Sequence, residues 1–125
     1  MQGQKINSFY DLDAWKEGHQ IVLKIYKLTE SFPQQEMFGL VSQMRRCAVS
    51  ITSNLAEGFS RGTYRDKAQF YSISLGSLTE LQNQLLISRD VKFITADEYS
   101  EVLQMTIKTH KIINGLIKAS RARFS

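Results

Sequence analysis

Apolar residues recur at helical spacing through four successive stretches of this chain, and only a few residues separate one stretch from the next. That pattern leaves little besides helix-on-helix packing, and no stretch of any length alternates in the manner of a strand. The first stretch spans residues 11–32, with Asp11 as its expected N-cap and Pro33 as its end. Leu12, Trp15, Val22, Tyr26 and Thr29 fall on one face, and Ile21, Ile25, Leu28 and Phe32 form a second apolar strip beside it. Residues 34–38 read as a connection, and Gly39 helps the chain to turn. The second stretch ends near Arg61, with Gly62 expected at C′. Thr63, with Asp66 three residues on, opens the third, which runs to Asp90. Its core face carries Phe70, Tyr71, Ser74, Leu75, Leu78, Leu81 and Leu85, while Ile73, Gly76, Glu80 and Ile87 lie opposite. Residues 91–94 make a turn, and Thr95-Ala96-Asp97-Glu98 is a capping box for the fourth. That helix turns Tyr99, Val102, Leu103, Thr106, His110, Ile113, Leu116 and Ile117 inward and ends in a short basic tail. The expectation is one domain over residues 1–125, an all-α, antiparallel, up-down-up-down four-helix bundle.

The second helix carries two stripes where an ordinary surface helix needs one. Leu40, Met44, Cys47, Ala48, Ile51 and Leu55 make an apolar face. Gln43, Arg46, Ser50, Asn54, Glu57 and Arg61, spaced three and four apart, line up beside it. Two readings fit this polar stripe: a solvated back, or a surface that touches something specific. Apolar residues on more than the core face of the first and third helices point to oligomerisation, because a lone bundle cannot bury them.

The run SQMRRCAVSITSNLAEGFSR, followed by Gly76-Ser77-Leu78-Thr79-Glu80-Leu81 and preceded by Phe32-Pro33 and Gly39-Leu40, resembles the four-helix bundle proteins encoded in 23S rRNA intervening sequences. That family is similar to the accessory variability proteins of diversity-generating retroelements. The resemblance runs from Asp11-Leu12 and Trp15 through the fourth helix, and its most specific segment is Ser-Ile-x-Ser-Asn-x-Ala-Glu-Gly. It implies four antiparallel helices, a homopentamer with a basic surface, and nucleic-acid binding. The chain departs from the family pattern at Thr52, where Pro is common, at Cys47 and Ser74, where Ala is common, and at Gln82, where Glu is common.

Composition narrows the function classes. A single cysteine excludes an internal disulfide and a cysteine-based zinc site, and it suits a reducing compartment. No apolar run reaches the length of a membrane span, and residues 1–7 are too polar for a signal-peptide core. The expected location is therefore the cytoplasm, with no membrane partner. The net charge of +4 is mild for one copy and grows with each copy in an assembly.

Catalytic chemistry is hard to place. A bundle di-metal site needs Glu-x-x-His pairs, and neither His19 nor His110 stands three residues after a Glu. No arginine shortly precedes either histidine, and no nucleophile set, phosphate-cradling loop or zinc motif is present. Both histidines read as satisfied core or flank residues, and Cys47 as an inert apolar one. No metal, cofactor or enzymatic activity is expected. Glu57 and Glu80 are assigned structural roles, accepting hydrogen bonds or ion pairs from Arg45, Arg46 or Arg61 at helix or subunit contacts, with Ser50, Asn54 and Gly76 on the same contact surfaces. Gly76, one turn before Glu80, leaves room for a close helix approach.

Cations concentrate at one end of the expected bundle. Arg61, Arg65 and Lys67 crowd the turn between the second and third helices, and Lys111, Lys118, Arg121 and Arg123 crowd the end of the fourth. Up-down topology puts both regions together, with Tyr64 and Phe124 available to stack on bases. Dipole complementation explains Lys118 and Arg121, but it does not explain Arg65 and Lys67 at a helix start. The expected function is a non-enzymatic oligomer that binds RNA, DNA or an RNA/DNA hybrid through these residues. The alternative is a protein-interaction scaffold that docks a partner such as a polymerase or reverse transcriptase.

Overall fold

A computed structural model describes residues 5–124. Four helices, α1 (Asp13–Thr29), α2 (Ser42–Ser60), α3 (Tyr64–Asp90) and α4 (Ala96–Arg121), form an antiparallel four-helix bundle. Each packs on its neighbours in sequence, and α4 closes back against α1. The most extensive seam joins α2 to α3. Ile21, Ile25, Met44, Ile51, Leu55, Leu78, Leu81, Leu85 and Ile113 are buried completely.

Buried hydroxyls satisfy themselves on their own helices. Thr29 donates to the Ile25 carbonyl at 2.7 Å, Ser88 to Gln84 at 2.8 Å and Thr109 to Met105 at 2.9 Å. Three of the departures noted above come with hydrogen bonds between helices. Ser74 Oγ donates to the Ile51 carbonyl at 2.7 Å, and Cys47 Sγ donates to the Ser77 carbonyl at 3.0 Å. Gln82 Nε2 donates to Thr106 Oγ1 at 3.0 Å, which a carboxylate could not do.

The first helix starts later and stops earlier than its apolar periodicity predicts. Asp11 does not cap it. Asp11 sits in a 3₁₀ turn, Phe9–Asp11, and its Oδ2 accepts the backbone N–H groups of Asn7 and Ser8, each at 3.0 Å. Leu12 is then extended (φ −67°, ψ 131°) and α1 begins at Asp13. Its buried strip is Ala14, Gly18, Ile21, Ile25 and Leu28. Trp15 and Val22 flank it, half-buried, and Tyr26 is exposed. Gly18 belongs to the strip because a Cβ there would stand 3.1 Å from Thr52 Cγ2.

The connection to α2 is not a plain loop. A 3₁₀ turn, Gln34–Glu36, runs into a π turn, Met37–Val41, kinked at Gly39. At the other end of α2 the expected left-handed Gly62 is absent. No glycine among the described residues has positive φ, and the helix ends instead in extended Arg61. The turn after α3 does use a left-handed residue, Lys92 at φ 66°. Phe93 N–H bonds back to the Ser88 carbonyl and Lys92 N–H to Arg89, a Schellman closure built on a lysine. The capping box at α4 forms as expected, with Glu98 N to Thr95 Oγ1 at 3.0 Å and Thr95 N to Glu98 Oε1 at 2.8 Å. At the start of α3, Thr63 Oγ1 accepts Asp66 N–H at 3.1 Å.

Candidate nucleic-acid interface

Helix geometry brings the end of α2, the start of α3 and the tail of α4 to one end of the bundle. There, four cations lie over four aromatic rings. Arg61 sits 4.5 Å from the Phe70 centroid and Lys67 5.3 Å from Phe59. Arg65 of α3 covers Phe124 of the tail at 4.8 Å, and Arg123 of the tail covers Tyr64 of α3 at 5.1 Å. These last two contacts are reciprocal, so each segment supplies the ring for the other's guanidinium. They fix two arginines from distant parts of the sequence side by side on an exposed surface.

The other expected cations divide. Arg61 is paired with Glu57 at 3.2 Å, one turn back on α2, which offsets its charge. Lys67 is half-buried, and its Nζ donates to the Phe59 carbonyl at 2.6 Å. It thus caps the C-terminal end of α2, and loss of hydration lowers its pKa. Dipole complementation therefore explains Lys67 after all, through the neighbouring helix rather than its own. Lys118 and Arg121 are exposed in the last turn of α4. Lys111 lies seven residues before Lys118, roughly 10 Å up the helix, and does not join the cluster at the tip.

A cavity of about 270 Å³ opens at the same end. Phe59, Tyr64 and Tyr71 line it with Leu12 and Leu116, and its charged lining is Lys67 and Arg123, with no acid. Tyr71 is only 2 % exposed, and burial pushes its phenol up to about 12, so it stays protonated. Its hydroxyl has no hydrogen-bond partner among the described residues. The sequence placed Tyr71 on the core face of α3 but gave no sign of this cavity. Gly58 sets the ring's position: a Cβ there would fall 2.7 Å from Tyr71 Cε1, so the last turn of α2 packs directly on the ring.

The expected contact residues serve mostly inside one chain. Arg45 braces α2 to α1, with Nε donating to Thr29 Oγ1 at 3.0 Å and the guanidinium 4.7 Å from the Tyr26 ring. Ser50 Oγ meets Ser77 Oγ at 2.9 Å, and Asn54 Nδ2 donates to the Ser50 carbonyl at 2.8 Å. Glu80 does not pair with an arginine. Its Oε2 accepts from Cys47 Sγ at 3.6 Å, and burial together with this carboxylate pushes the thiol up to about 12. Gly76 faces open space, with nothing within 4 Å of a built Cβ, so no helix of the same chain makes the expected close approach. Arg46 is exposed and borders a groove of about 220 Å³ between α2 and α3, together with Ser50, Ser77, Glu80 and Gln84.

One feature of the surface has no counterpart in the helical pattern. Phe38, in the π turn, is 97 % exposed. With Met37, Tyr26 and Val49 it borders an apolar groove of about 470 Å³ edged by Arg45 and Arg46. On α3, Ile73 and Ile87 are exposed as expected, beside Gly76 and Glu80. Among the described residues no group of three or more His, Cys, Asp or Glu is placed to hold a metal, and no helix is long and apolar enough to cross a membrane. His19 stacks on Trp15 with centroids 4.6 Å apart, and His110 meets Asn114 at 3.2 Å.

A family model described as 23S rRNA-intervening sequence protein matches residues 10–115. The fold is also that of a solved structure from Bacteroides thetaiotaomicron VPI-5482, described as a protein of unknown function from the S23 ribosomal protein family. The two superpose with a TM-score of 0.77 at 19 % identity, over 84 % of this chain and 95 % of that one. No curated protein matches the sequence.

Proposed function

The chain belongs to the 23S rRNA-intervening sequence protein family, and from that premise we propose that it is a non-enzymatic, cytoplasmic oligomer that binds nucleic acid through the basic end of its bundle. The observation that carries this reading is the reciprocal pair Arg65–Phe124 and Arg123–Tyr64. Guanidinium groups held over rings keep their N–H edges free for phosphate oxygens. Lys118 and Arg121 extend the same positive surface along α4. Recognition is chiefly of the backbone, since no base-reading helix motif is present.

Assembly is the second half of the proposal. An exposed apolar groove edged by Arg45 and Arg46 and an exposed apolar strip on α3 carrying Ile73, Gly76 and Ile87 are unlike surfaces of one chain. Such surfaces suit head-to-tail contacts, which close into rings when the rotation permits. The family resemblance sets the expected ring at five copies. A protein-interaction scaffold is the competing reading. It is favoured by the same exposed Phe38 if a different protein covers it.

The test compares the protein with an Arg65→Glu, Arg123→Glu variant by fluorescence anisotropy of labelled RNA and DNA over a salt series. Lys67 is left in place because it caps α2. The variant should retain its helical circular dichroism and lose about tenfold or more in affinity, with a shallower salt slope. Unchanged affinity would remove the basic end as the interface.

A further inference from the structure

We propose that the cavity at the basic end receives one unstacked nucleobase, which makes this end a receptor for single-stranded rather than fully paired nucleic acid. The inference deepens the nucleic-acid reading above and rests on it. Three observations converge on the cavity. Its lining brings three aromatic residues, Phe59, Tyr64 and Tyr71, together with Leu12, Leu116 and Ala119, a mixture suited to a flat heteroaromatic ring. Its charged lining is two cations and no acid, so a phosphate attached to the occupant meets positive surroundings, with Arg123 exposed to receive it and Lys67 held on the Phe59 carbonyl. Lastly, the Tyr71 phenol lines it, 2 % exposed, with a hydroxyl that lacks a hydrogen-bond partner among the described residues. That hydroxyl is not sealed from solvent, so it is open to the cavity and available to bond an occupant. A base edge carries both donors and acceptors and can satisfy it. A hydrocarbon occupant could not, and a base locked in a duplex could not leave its stack to enter.

The Arg123–Tyr64 contact places the stacking face and the phosphate ligand together. Tyr64 is 40 % exposed and is covered by Arg123 at 5.1 Å. Arg65 on Phe124 lies next along the surface for the following phosphate. Tyr71 is held independently of any ligand by its packing on Gly58.

The experiment measures affinity for a single-stranded RNA, the same strand with abasic sites, and a blunt duplex of equal length, all at one salt concentration. Tyr64→Leu and Tyr71→Phe are measured alongside. Tyr71→Phe keeps the ring that packs on α2 and removes only the hydroxyl. The intact strand should bind more tightly than the duplex, and the abasic strand about fivefold or more weaker than the intact one. Tyr64→Leu should lower single-strand affinity by a similar factor and leave duplex affinity alone, and Tyr71→Phe should reduce discrimination among bases. Equal affinity for intact and abasic strands, with steep salt dependence retained, would overturn the base pocket and leave the backbone reading standing. Absence of binding to every strand at low salt would remove both.

Discussion

Lys67 carries a charge that the helix it begins cannot use and the helix before it can. Its hydrogen bond to the Phe59 carbonyl explains a cation at a helix start, and only the three-dimensional turn reveals it. Gly58 is the opposite case, a motif residue whose reason is purely steric. Gly58→Ala would set a methyl group 2.7 Å from Tyr71 Cε1 and 3.0 Å from Phe70 Cβ. The variant should lose about 1–3 kcal/mol of stability in urea unfolding. Cys47 predicts a pH effect. The thiol holds its proton to about 12 when folded, against 9.0 ordinarily. The unfolded state therefore binds fewer protons above pH about 9, and stability falls as pH rises through that window, by at most about 1.4 kcal/mol per unit for one group. Tyr71 adds the same trend above its ordinary value of 10.0. Cys47→Ala should flatten the first part of the decline, read from urea midpoints measured between about pH 8 and pH 10. The polar stripe on α2 was legible as special. That Ser50 ties α2 to α3, with Asn54 bonded back onto it, was not, because the Ser50 partner, Ser77, lies on another helix.

At the scale of the element, α2, α3 and α4 were legible to within a residue or two, since capping boxes and an uninterrupted period marked them. The limits of α1 were not. Leu12 and Phe32 continue the apolar pattern past the two ends of the helix, where aromatic contacts plug the bundle, Phe9 on Trp15 at 5.5 Å and Phe32 on Phe93 at 5.3 Å. Gly62 looked like a helix stop, yet the left-handed position fell instead to Lys92 in the next turn. A lysine in that conformation bears a steric cost that glycine lacks, partly offset by the greater chain entropy of glycine. Lys92→Gly should stabilise the protein by up to about 1 kcal/mol in thermal or urea unfolding. A loss of stability would show that the Lys92 side chain makes a contact worth more than the strain.

For the whole molecule, topology was legible and the layout of the surface was half so. The basic end followed from an up-down course, because the turn after α2 and the end of α4 must then meet. The cavity beneath it did not, since its depth depends on how Tyr71 and Gly58 pack. Phe38 was missed for a simpler reason: it lies in a connection, where periodicity says nothing about exposure. A phenylalanine 97 % exposed beside a large apolar groove fits a chain that works as one copy among several. Phe38→Ser should leave helix content intact and shift the species in light scattering towards the protomer mass. No change in mass would place the assembly surface elsewhere. The central claim is tested most directly by the slope of log affinity for RNA against log salt, measured on the intact protein. Tight binding at low salt and a steep inverse slope are expected, reflecting release of counterions by several arginines and lysines at once. A flat slope, or no binding at low salt, would contradict that claim and turn the basic end into a device for holding α2, α3 and the α4 tail together.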